Sequence, residues 1–84
     1  MGGLTIRCRL FARYAEVVGR EEVELSLPSD ALVGDAVAAL RRTVPGAAIL
    51  PERPLVAINQ RHALPTDPLR DGDELAFLPP LAGG

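Results

Sequence analysis

The chain closes on Pro79-Pro80-Leu81-Ala82-Gly83-Gly84, and one group there invites covalent chemistry: the α-carboxylate of Gly84. After Leu81 no side chain extends past Cβ, so Ala82, Gly83 and Gly84 suit a narrow channel in another protein. The glycines also allow backbone conformations closed to other residues. Pro79 and Pro80 cannot donate to a β-ladder, so they are expected to end a strand and project the tail away from the domain. A carboxylate is inert until activated. Adenylation by ATP makes it an acyl-phosphate anhydride with a good leaving group, and a sulfur nucleophile then converts it to a thiocarboxylate or thioester. A frayed glycine terminus is the plainer account of the same residues.

Other chemistry is excluded by residue type. All nine basic residues are arginine, and the absence of lysine rules out a Schiff base, a phosphate-loop lysine or lysine modification. An activated Gly84 would also meet no ε-amine on another copy, so isopeptide chains of this protein are excluded. The single cysteine, Cys8, cannot form an internal disulfide, which makes a reducing cytoplasm the expected compartment. Its strand phase points inward, the place of a small hydrophobe and not of a nucleophile. Cys8 and His62 together cannot complete a four-ligand zinc site, and no metal is expected. His62 is read as an exposed turn residue. Asp71 and Asp73 flank Gly72 in a loop too short for an EF-hand and are read as turn residues opening a strand. A net charge of -2 and only Phe11, Tyr14 and Phe77 as aromatics argue against nucleic-acid binding. No apolar run reaches the roughly 20 residues of a membrane helix. The first residues lack a signal-peptide pattern, and Ile6 breaks the myristoylation pattern.

The elements that must position the tail follow from periodicity. Leu4 to Leu10 alternates strictly, with Leu4, Ile6, Cys8 and Leu10 on the buried face and Thr5, Arg7 and Arg9 on the other. Phe11 continues the polar phase. Ala12 to Val18 forms a short helix ended by Gly19. Glu22 to Leu27 alternates again, with Val23, Leu25 and Leu27 inward, and Pro28 ends it. The first two strands pair as a hairpin-like unit. The main helix is predicted over Val33 to Val44, with Val33, Ala36, Val37, Leu40 and Val44 on its apolar face. Asp35 in its first turn and Arg41 and Arg42 in its last match the macrodipole. Leu32 occupies the capping position, so Ser29 or Asp30 is expected to set the start. Residues 47–54 read as a loop, Leu55 to Asn59 as a third strand, and Gln60 to Leu64 as a turn pairing back on it. Pro65 to Arg70 reads as a compact turn region with a helical turn. Asp71-Gly72-Asp73 turns into a last strand, Glu74 to Leu78, with Leu75 and Phe77 inward and Leu78 outward.

With 84 residues and 48% hydrophobic composition, the chain is expected to be a single domain, 1–84, with a flexible C-terminal tail, 79–84. One amphipathic helix must cover one face of a mixed sheet, because neither buries its apolar side alone. The predicted fold is therefore α+β, the β-grasp arrangement. Such a small domain has little volume left to wall off a deep catalytic pocket.

The run Leu69-Arg70-Asp71-Gly72-Asp73-Glu74-Leu75-Ala76-Phe77-Leu78-Pro79-Pro80-Leu81-Ala82-Gly83-Gly84 resembles the C-terminal part of the ubiquitin-like sulfur carriers, specifically of molybdopterin synthase small subunits. Leu10-Phe11-Ala12, the central helix and Val56-Ala57-Ile58-Asn59-Gln60 extend the resemblance over nearly the whole chain. Leu32-Val33 departs from the usual Thr-Val at the helix start. Thiamine-pathway carriers typically lack the Pro-Pro pair, whereas carriers for cysteine synthesis or tRNA thiolation have similar tails. The resemblance implies a sulfur-donor subunit with no catalytic pocket of its own. An adenylating enzyme would use ATP to activate Gly84, and a sulfur donor protein would leave a thiocarboxylate there. The synthase large subunit would take the sulfur for a pterin dithiolene, two loaded carriers per product. No stably bound cofactor, nucleic acid or membrane is implied. A ubiquitin-like modifier conjugated through Gly84 is the reading of another class. Phe11 and Leu78 fall on the outward phase and, with Pro79 and Pro80 and Leu81 nearby, are read as a docking patch shared by the adenylating enzyme and the large subunit, against the plainer alternative of scattered surface hydrophobes. Arg7, Arg9 and Arg13 are read as solvated strand-face residues or as partners for acidic groups elsewhere.

Overall fold

A computed structural model describes residues 3–79. In chain order the elements are β1 (Gly3–Leu10), α1 (Ala12–Val18), β2 (Glu22–Pro28), α2 (Val33–Thr43), a 3-10 helix (Ala47–Ile49), β3 (Leu55–Ile58), β4 (Arg61–Ala63) and β5 (Glu74–Leu78). The sheet order is β2-β1-β5-β3-β4. β1 pairs antiparallel with β2 and parallel with β5, while β5 and β4 both pair antiparallel with β3. This mixed sheet with α2 against one face is the β-grasp arrangement expected from the sequence.

Both predicted alternations hold. Leu4, Ile6, Cys8 and Leu10 are buried, as are Val23, Leu25 and Leu27 opposite them. Val33, Ala36, Val37 and Leu40 of α2 close the core over Phe77, Leu75 and Val56. α1 ends at Gly19, whose φ of 83° lies in the left-handed region that glycine reaches without a Cβ clash. α2 stops at Thr43 and not Val44, because Pro45 disfavours helical backbone in the residue before it; Val44 is extended.

Three local expectations are corrected. Neither Ser29 nor Asp30 caps α2; Leu32 is the capping residue and has no side-chain oxygen to offer. The orphan amides at this end find other partners. The Val33 and Gly34 N–H groups donate to the carbonyls of Asp67 and Pro65, each at 2.9 Å. The Asp35 carboxylate accepts from the Leu32 N–H at 2.9 Å. The same contacts explain the second correction. Pro65–Arg70 holds no helix; it opens with the expected turn at Pro65 and Thr66, where the Asp67 N–H donates to the Leu64 carbonyl at 3.0 Å, and then crosses the α2 N-terminus with a bridge between Leu32 and Pro68 and with Leu69 buried. Third, the expected loop at 47–54 opens with the 3-10 helix, which buries Ala47 and leads to buried Leu50. The Arg41 Nε fixes that segment by donating to the Leu50 carbonyl at 2.8 Å.

β3 and β4 form the expected tight hairpin. Asn59 and Gln60 at its tip have φ of 47° and 72°, the two positive values of a type I′ turn. Asn59 tolerates that region better than Gln60, which bears the steric cost of left-handed backbone. Gln60→Gly is expected to stabilise the fold by about 1 kcal/mol and raise the melting temperature by about 4–8 °C, checked by thermal denaturation.

Candidate functional site: the tail end of the outer sheet face

α2 covers one sheet face and leaves the other open. Register orders the open face into rows across the strands. Arg9 stands between Glu22 and Ala76, and Ala76 is followed outward by Ala57 and His62. One step further along β5, toward its C-terminal end, Leu78 faces Leu55 of β3. On the other side Leu10 pairs with Phe77, so Phe11 follows Leu10 at the level of Leu78. The result is an apolar row, Phe11, Leu78 and Leu55, whose members are 36%, 37% and 48% exposed. Half-buried Pro79 continues β5 directly from it.

The structure thus brings Phe11, Leu78 and Pro79 together at the C-terminal end of β5 on the open face. Pro80, Leu81, Ala82, Gly83 and Gly84 lie outside the described residues. Sequence reasoning missed Leu55, although the signal was present: Val56 and Ile58 face inward, so period-2 alternation turns Leu55 outward.

Phe11 is held by its flanks. Its backbone is extended, with φ of -124°, and α1 starts at the next residue. That residue, Ala12, has φ of 51°, a left-handed conformation costly for a side chain with a Cβ. The Arg9 guanidinium carbon lies 5.3 Å from the Phe11 ring centroid, within cation–π range. Arg9 also pairs with Glu74 at 3.5 Å, and Arg7 with Glu22 at 4.0 Å. Both strand-face arginines therefore find acidic partners inside the chain.

The other singled-out residues are accounted for structurally. The Asp71 carboxylate accepts from the Thr5 N–H at 2.8 Å, tying the last turn to β1. Asp73 is buried; its carboxylate accepts from the Arg70 N–H at 2.8 Å and the Asn59 Nδ2 at 2.9 Å. Asn59 completes the link by accepting from the Glu74 N–H at 3.0 Å. Both aspartates thus shape the turn before β5, as expected. His62 is exposed but sits on β4 and not in a turn. A separate open groove at the other end of β5 is lined by Asn59, Arg61, His62, Asp67, Arg70 and Asp73 with Ile58, Ala63 and Pro68. Its lining offers no Ser, Thr, Cys or Lys nucleophile.

Cys8 is fully buried, and burial pushes its thiol from 9.0 up to about 12. At neutral pH it is a protonated core residue. Between those two values the unfolded chain releases a proton that the folded chain keeps, so stability falls as pH rises through this window. The loss is expected to approach about 4 kcal/mol. Denaturant midpoints measured from pH 8 upward should fall along this curve, and Cys8→Ala should flatten it.

Comparison with known proteins finds relatives over most of the chain. Residues 8–84 match the ThiS family. A molybdopterin synthase sulfur carrier subunit from Chlamydomonas reinhardtii is 34% identical over 96% of this chain and 100% of its own length. One from Mycobacterium tuberculosis is 42% identical over 77% of this chain and 76% of its own. The crystal structure of small archaeal modifier protein 1 from Haloferax volcanii superposes with a TM-score of 0.84 at 31% identity, covering 93% of this chain and 99% of that one.

Proposed function

The chain belongs to the ThiS family, and on that premise we propose that it is the sulfur carrier subunit of a molybdopterin synthase. The observation that carries the proposal is a juxtaposition. β5 runs out through Leu78 and Pro79 at an open apolar row, and the sequence then continues Pro80-Leu81-Ala82-Gly83-Gly84. Partners that use the tail meet Phe11, Leu78 and Leu55 as they do so. Burying those side chains supplies the main favourable term for docking, roughly 25 cal/mol per Å² of apolar surface.

The chemistry is divided between proteins. An adenylating enzyme uses ATP to convert the Gly84 carboxylate to an acyl adenylate, releasing pyrophosphate. A persulfide on a sulfur donor protein attacks the acyl carbon and expels AMP; reductive cleavage of the acyl disulfide by a thiol leaves the thiocarboxylate. The large subunit then receives the loaded tail and directs its sulfur into a cyclic pyranopterin monophosphate, two carriers per dithiolene. This domain supplies activated sulfur and a docking face, while the large subunit supplies the pocket. The test is reconstitution: thiocarboxylated chain, purified large subunit and the pterin substrate should yield the dithiolene product. Failure with a large subunit that works with its own carrier contradicts the proposal.

A second reading has support from the small archaeal modifier relative. As a protein modifier the chain would be joined through Gly84 to lysines of other proteins. Isopeptide-linked Gly-Gly remnants on cellular lysines would favour it. Cysteine, thiamine and tRNA thiolation remain acceptors to be separated by which partner co-purifies.

A further inference from the structure

We propose that Glu74 and Arg9 are positioning residues of the docking face: Glu74 holds the Arg9 guanidinium over the Phe11 ring and so fixes the ring for a partner. The inference rests on the docking role given above to Phe11 and Leu78.

Arg9 has a choice of neighbours. Directly across from it stand Glu22 on β2 and Ala76 on β5. Glu22 is paired with Arg7 instead, on the diagonal. Ala76 offers no charge to pair with, and the guanidinium takes Glu74, two residues earlier on β5, at 3.5 Å. That choice brings the cation over Phe11 at 5.3 Å.

The anchor is firm at its acidic end. The Glu74 side chain is 17% exposed, against 45% for Arg9. Glu74 is tied to the β3–β4 turn by two bonds: its N–H donates to the Asn59 Oδ1 at 3.0 Å and its carbonyl accepts from the Asn59 N–H at 2.9 Å. The chain of positioning thus runs from the Asn59 turn through Glu74 and Arg9 to Phe11. On the far side Ala12, in its left-handed conformation, fixes where the backbone leaves the ring. A partner that covers Phe11 and Leu78 also takes water from Arg9. A desolvated guanidinium needs a carboxylate beside it, and Glu74 already provides one. The surface that fits this face is therefore apolar and carries no acidic group of its own opposite Arg9.

The test is steady-state adenylation, with this chain as the varied substrate of its activating enzyme, for wild type, Arg9→Gln, Glu74→Gln, the double variant and Arg9→Lys. Each single variant is expected to raise KM about 3–10-fold with kcat unchanged. The double variant should be no worse than the single ones, because the two residues act as one unit. Arg9→Lys should recover part of the loss, and melting temperatures should fall by no more than a few degrees, because Gln keeps the length and hydrogen-bonding capacity of the half-buried Glu74 and Arg9 is exposed. In a Phe11→Ala background Arg9→Gln should have no further effect. A normal KM for Glu74→Gln alongside a raised KM for Arg9→Gln overturns the proposal and assigns Arg9 to a partner carboxylate. Multiplicative losses, or unchanged KM throughout, overturn it as well. A wild-type chain that a competent enzyme does not activate overturns the docking reading itself, a distinct outcome.

Discussion

Deleting Gly84, or adding one residue after it, is expected to abolish sulfur loading while leaving the fold untouched. The reacting atom in the proposed chemistry is the acyl carbon of the last residue. Removing one residue withdraws it by about 3.5 Å along an extended chain. A displacement of even about 1 Å at a reacting centre can reduce rate about 100-fold, so the loss should be at least that large. The core lies between Leu4 and Phe77, so no buried side chain is affected. Thermal denaturation of the deletion variant should therefore overlay wild type, while thiocarboxylate formation falls to background. Transfer that persists in either variant contradicts the assigned role of Gly84.

The second large effect concerns Phe77, one residue before the docking row. Phe77 is completely buried at the centre of the sheet, paired with Leu10 on one side and Val56 on the other. Phe77→Ala removes a ring from a site closed by two strands and α2 and leaves a cavity, a change that costs about 3–5 kcal/mol. A domain with stability of order 5–15 kcal/mol has little left after that loss. The melting temperature should drop by roughly 15–30 °C. The neighbouring Leu78→Ala is expected to behave in the opposite way, with nearly normal stability and weakened capture by the activating enzyme and large subunit. Denaturant unfolding and pull-down measured on both variants separate the two roles.

The contrast between Phe77 and Leu78 shows which features are legible in sequence. Alternation over Leu4–Leu10, Glu22–Leu27 and Glu74–Leu78 encodes which side faces the core, because a strand has a side-chain period of 2. Gly19 encodes the end of α1, because few other residues reach its φ at low cost. These local signals give the strand and helix order, and burial of both apolar faces then requires the layered α+β fold. At the start of α2 only Asp35 is such a signal, its carboxylate accepting from the Leu32 N–H. The Val33 and Gly34 N–H groups are met by the Asp67 and Pro65 carbonyls, backbone groups brought in from a distant segment, and backbone groups look alike in every sequence. The same holds for the docking face. Phe11 and Leu78 could be assigned outward by phase, but their adjacency depends on β1 and β5 being parallel neighbours. Arg9 meeting Glu74 depends on that adjacency too, so sequence reasoning left Arg9 as a solvated or partner-seeking cation. The tail is a different case. Residue types alone fit a frayed glycine terminus equally well, and the sulfur-loading reading of Gly84 comes from the resemblance of residues 69–84 to the sulfur carriers, of which 80–84 lie outside the described residues.

The central claim is that the Gly84 carboxylate is the site of sulfur loading. Intact mass spectrometry tests it most directly, on the chain incubated with its activating enzyme, ATP and a persulfide sulfur source under reducing conditions. The account predicts a mass increase equal to replacement of one oxygen by one sulfur, located at Gly84 by fragmentation and absent when ATP is omitted. An unchanged mass with an enzyme that loads another carrier in parallel, or sulfur found at Cys8 instead, would contradict it.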